Sequence, residues 1–106
     1  MSDDHDDLFA ALEVEMAEAV AVGYAIRYGV ILGRFPDGSH QWMLLHEESR
    51  PTAEAWAAIE AHADAVLASK TYRRWLALHP DALRAFVVLW GVQPPAEPYE
   101  RSDPPC

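Results

Sequence analysis

A chain of 106 residues, 51% apolar and 24% charged, has the size of one ordinary domain and enough apolar side chain for a core. That composition excludes a chain unstructured throughout, and a single cysteine, Cys106, excludes an internal disulfide framework or a multi-cysteine zinc site. Eight Lys and Arg against 17 Asp and Glu leave a net charge of −9, which disfavours nucleic-acid phosphates and anionic membranes as partners.

The acids gather at one end. Asp3, Asp4, Asp6, Asp7, Glu13, Glu15 and Glu18 precede the first Lys or Arg, which is Arg27. A first helix is expected over about Asp4 to Ala21, with the early aspartates complementing the positive end of its dipole. Phe9, Leu12, Met16, Ala19, Val20 and Gly23 step by three and four, which makes one apolar stripe. Gly23 stands where a glycine would stop the helix.

From Tyr24 to Phe35 the period changes to two, and the segment reads as a strand. Pro36-Asp37-Gly38-Ser39 supplies the turn, because Pro presets one corner and Gly38 can take a left-handed conformation. His40 to His46 is the return strand, which completes a hairpin. Large apolar residues occur on both hairpin faces, so a face is expected to stay open after the helices cover the other. The hairpin residues Tyr28, Val30, Trp42, Met43 and Leu44 are the expected interface, and a second copy its expected partner.

Thr52 is the expected N-cap of a helix to about Ser69, with Trp56, Ile59, Ala63, Val66 and Leu67 as its stripe. Thr71 would cap a short third helix carrying Tyr72, Trp75 and Leu76 to the core, with Arg73 and Arg74 outward. A fourth helix is expected over about Asp81 to Trp90, opened by Pro80 and stopped by Gly91. Beyond it, Pro94, Pro95, Pro98, Pro104 and Pro105 exclude helix and sheet interior, so residues 93–106 read as an extended, flexible tail after a compact domain of residues 1–92. The expected fold is therefore α+β, in the order α-β-β-α-α-α.

Chemistry-bearing patterns are few. The helical zinc-hydrolase pattern His-Glu-x-x-His is absent, and Gly29 to Arg34 lacks the Lys-Ser/Thr of a phosphate loop. Asp3 to Asp7 lacks the spacing of a calcium loop. No metal, no cofactor and no secretory leader are expected, and the expected setting is cytoplasmic.

Three functions are compatible with these residues. The leading expectation is a non-enzymatic protein-interaction module, homodimeric through the hairpin. The second is an acidic inhibitor that mimics DNA, in which Asp3, Asp4, Asp6, Asp7, Glu13 and Glu18 imitate phosphates toward a basic partner. The third is a small enzyme or ligand-binding domain that gathers Arg34, His46 and Glu47 at the hairpin end.

Overall fold

The computed structural model describes residues 4–98, with side chains from Glu15 onward. It has the expected α+β architecture: α1 (Asp4–Arg27), β1 (Val30–Arg34), β2 (His40–Leu44), α2 (Ala53–Ala61), α3 (Ala63–Ala68), α4 (Lys70–Ala77) and α5 (Pro80–Trp90). α1 packs on α2, α3 and α4 and touches β1.

The boundary between α1 and the hairpin differs from expectation. The helix runs through Gly23 to Arg27, and the first strand begins only at Val30. The segment satisfies both periods, because Ala21, Tyr24, Ala25 and Tyr28 also recur at helical spacing. Packing decides between them. Ala21 and Ala25 are completely buried, and their small side chains let α1 lie close on its neighbours. Gly29 is the true stop, with φ 66° and its N–H on the Ile26 carbonyl at 3.2 Å.

The hairpin is antiparallel, with Val30 opposite Leu44, Leu32 opposite Trp42 and Arg34 opposite His40. The Gly38 N–H closes its turn on the Phe35 carbonyl at 2.9 Å, and Gly38 has φ 92°. The Asp37 carboxylate accepts from the Ser39 hydroxyl at 2.7 Å and from its N–H at 2.9 Å. These bonds hold the Asp37 carboxyl below the ordinary carboxylate range.

Downstream helices begin and end largely as their residues dictate. Thr52 caps α2 by accepting from the Ala55 N–H, and Gly91 ends α5 in the left-handed region. The expected long second helix is interrupted at His62, whose φ of −127° is not helical, and so becomes α2 and α3. Ser69, not Thr71, caps α4; its hydroxyl accepts from the Tyr72 N–H at 3.2 Å. Residues 93–98 have no regular secondary structure; Pro94 is buried, Ala96 packs on the core, and the Glu97 N–H meets the Arg73 carbonyl at 3.4 Å.

β1 is the centre of the core. Val30, Ile31, Leu32 and Gly33 are all buried, so no face of this strand is free, contrary to expectation. Trp56 of α2 lies against Trp42 on one face of the hairpin. Phe86 of α5 covers the other so closely that a Cβ on Gly33 would lie 2.6 Å from its ring. The outer edge of β1 is closed by one side chain. The fully buried Tyr72 hydroxyl accepts from the Leu32 N–H at 2.8 Å and donates to the Val30 carbonyl at 2.7 Å. It takes the place of a third strand.

Tyr72→Phe keeps the ring but orphans two buried backbone groups, and should cost about 1–3 kcal/mol in urea unfolding. Burial also raises the Tyr72 pKa well above the ordinary tyrosine value, although the Leu32 N–H pulls the other way. The stabilisation is complete below the unfolded-state pKa and is lost as pH rises above it. Absorbance titration should therefore show one tyrosine ionising together with loss of helical circular dichroism, and Tyr72→Phe should remove that coupled step. Gly23, a helix-interior glycine with nothing within 4 Å of an added Cβ, gives the opposite sign. Gly23→Ala should stabilise the fold by about 0.5–1 kcal/mol in the same unfolding measurement.

Candidate interaction surface

The two edges of the hairpin are unlike. In β1, the N–H and C=O groups of Val30 and Leu32 point away from β2, and two of them, the Leu32 N–H and the Val30 carbonyl, end on Tyr72. The hydrogen bonds from the Leu45 N–H to the Gly29 carbonyl and from the Phe35 N–H to the Ser39 carbonyl, both 2.8 Å, fix which groups face inward. By that alternation, the backbone groups of Trp42 and Leu44 face out from β2. Among the described residues none of them has a hydrogen-bond partner. β2 therefore presents an open edge.

Side chains beside that edge are apolar. Trp42 is 45% exposed and meets Trp56 edge-on, with ring centroids 4.6 Å apart. A groove of about 560 Å³ runs beside them, lined by Trp42, Leu44, Pro51 and Trp56 with Glu47 and Arg50 at hand. Met43 and Leu44 are half-buried. Two other residues expected at the interface are placed elsewhere. Val30 is completely buried, and Tyr28 belongs to the turn that ends α1, its ring 6.3 Å from that of Tyr24.

The polar site expected from Arg34, His46 and Glu47 does not assemble. Register places Arg34 beside His40 at the turn end of the hairpin, whereas His46 and Glu47 follow β2 at the opposite end. Arg34 and His40 instead converge on Asp64 of α3, at 3.7 Å and 2.9 Å. All three are at least partly open to water, so the cluster pins the turn to α3 with little net energy. Among the described residues no group of three or more His, Cys, Asp or Glu is placed to hold a metal ion.

Of the acidic residues expected to act together, Asp3 lies outside the described residues, as do the side chains of Asp4, Asp6, Asp7 and Glu13. Glu15 is exposed and Glu18 half-buried on α1. Cys106 also lies outside the described residues. Two apolar surfaces were not foreseen. On α1, Met16 is 67% exposed and Val20 50%, so the part of the apolar stripe that is described points to solvent, away from the core. On α5, Val88 and Leu89 are exposed beside the buried Phe86. Exposure of this kind depends on which helix face packs, and spacing alone does not reveal it.

No described helix is long and apolar enough to cross a membrane. No protein-family model matches the chain, and no curated protein or solved structure matches it.

Proposed function

We propose that this chain is a non-enzymatic protein-interaction module that pairs with a second copy of itself along β2. The observation that carries the reading is the contrast between the hairpin's two edges. β1 ends on a buried phenol, whereas β2 leaves the backbone of Trp42 and Leu44 unpaired beside an exposed tryptophan. Antiparallel self-pairing about Met43 sets Trp42 against Leu44 of the second copy, and Leu44 against its Trp42. Two hairpins then form one four-stranded sheet, which is more stable than two isolated ribbons. Main-chain hydrogen bonds supply the affinity and the apolar side chains the register. Two-fold symmetry makes the contact self-limiting, since among the described residues each copy has one such edge.

Native mass spectrometry and sedimentation in reductant should give a dimer mass. Trp42→Lys and Leu44→Pro should each give the monomer with an unchanged helical spectrum. Leu44→Pro removes an N–H that faces away from β1 and so spares the β1–β2 ladder, whereas Trp42→Lys keeps the backbone and gives up the contact with Trp56. A monomer throughout the micromolar range, or a dimer that both variants leave intact, overturns the reading.

A further inference from the structure

We infer that the cleft where the end of β1, α3, α4 and the segment after α5 meet binds the phosphate group of a small phosphorylated molecule, independently of pairing through β2. The cleft has a volume of about 370 Å³, and Arg34, Asp64, Leu67, Arg73, Gln93 and Pro95 line it. The chain has eight Lys and Arg against 17 acids, yet two of the eight meet in this one place.

The fold sets Arg73 in position. Its Nε donates to the Leu67 carbonyl near the end of α3 at 2.9 Å, and its own carbonyl accepts from the Glu97 N–H. The residue is half-buried. Only one N–H of the guanidinium is used in this way. Its terminal nitrogens have no hydrogen-bond partner among the described residues, and no described carboxylate lies within 4.0 Å of them. Arg34 is little better engaged. Its Nη1 stands 3.7 Å from Asp64 Oδ1, too far for a hydrogen bond. That oxygen already meets His40 Nε2 at 2.9 Å. Two guanidinium groups thus face one carboxylate that has another partner, and the cleft is cationic in a chain that is acidic overall.

The donors suit phosphate. A guanidinium offers paired N–H groups in one plane, which match two oxygens of a carboxylate or phosphate. Two such groups on different elements call for more oxygens than one carboxylate holds, and a tetrahedral phosphate supplies them. The Gln93 amide adds a further N–H donor. Leu67 and Pro95 give the cleft apolar wall, where charge-assisted bonds are stronger than in open water. Its volume lies at the lower end of the range for small-molecule sites, which leaves room for a short organic part beside the phosphate. A nucleic acid is a poor occupant. Asp64 and His40 also line an adjoining cleft with Glu18 and Glu60, whose charges oppose a run of phosphates more than a single compact one.

The test titrates the full chain with glycerol phosphate, inorganic phosphate and chloride at constant ionic strength. Nitrogen-edited proton spectra report the arginine side-chain N–H groups. Glycerol phosphate should saturate in the millimolar range or tighter and shift the Nε–H signals of Arg34 and Arg73, and chloride should not. Arg34→Gln and Arg73→Lys should each weaken binding by roughly tenfold, the second because it keeps the charge but loses the fork. Asp64→Asn removes the carboxylate from the cleft and should tighten binding by roughly threefold or more. Damage to the fold would only weaken binding, so this gain decides the matter even if Arg73→Lys loosens α4. Arg84→Gln, on α5 beside Asp81, removes the same charge elsewhere and should change nothing. No saturation by about 10 mM overturns the inference. So does equal weakening by Arg84→Gln, or weaker binding by Asp64→Asn. Tighter binding of inorganic phosphate than of glycerol phosphate assigns the cleft to the free ion and overturns the phosphorylated molecule as its occupant. Unchanged affinity in Trp42→Lys separates this site from the β2 edge.

Discussion

Everything in this small domain depends on satisfying both edges of one buried strand. β1 lies under helices on both faces, where water cannot reach its backbone. β2 satisfies one edge. On the other, a single oxygen atom, the Tyr72 hydroxyl, takes the Leu32 N–H and the Val30 carbonyl, acting as donor and acceptor at once. A two-stranded ribbon is marginal on its own. Here it becomes a core element because α4 delivers a polar atom to the one place where an apolar side chain would leave two orphaned groups. The same closure makes the two edges inequivalent, since the outward backbone groups of Trp42 and Leu44 have no partner among the described residues.

Much of this was legible in the sequence. The turn residues Pro36 to Ser39 place the hairpin, Thr52 starts α2 and Gly91 ends α5, because each acts on its own neighbourhood. Tyr24 to Tyr28 was not legible, since its residues satisfy a strand period and a helix period together and only the burial of Ala21 and Ala25 decides. Ser69 displaces Thr71 as the cap of α4 for a similar reason. Both hydroxyls are able, and the path of the chain after α3 selects the earlier one.

The candidate surface was legible in part. Trp42 is exposed on the hairpin as its position implies, but its neighbour Val30 is buried because β1 is covered on both sides. Arg34 and His46 looked like partners by type and part company by register, since an antiparallel hairpin brings Arg34 to His40. Tyr72 reads in the sequence as one more aromatic on an apolar stripe. Nothing local marks it as the atom that closes a strand 40 residues away.

That separation bears on how the chain is made. β1 leaves the ribosome well before α4, and at about 5–20 residues per second the gap of 40 residues lasts about 2–8 seconds. Throughout that interval the hairpin has two open edges instead of one, with Val30, Ile31 and Leu32 uncovered between them. A strand in that condition is a template for unwanted pairing with neighbouring nascent chains. The acidic segment has already emerged by then, and its charge accompanies the uncovered hairpin until the tyrosine arrives. Mutual repulsion between such chains would hold them apart during the period when the sheet cannot yet protect itself.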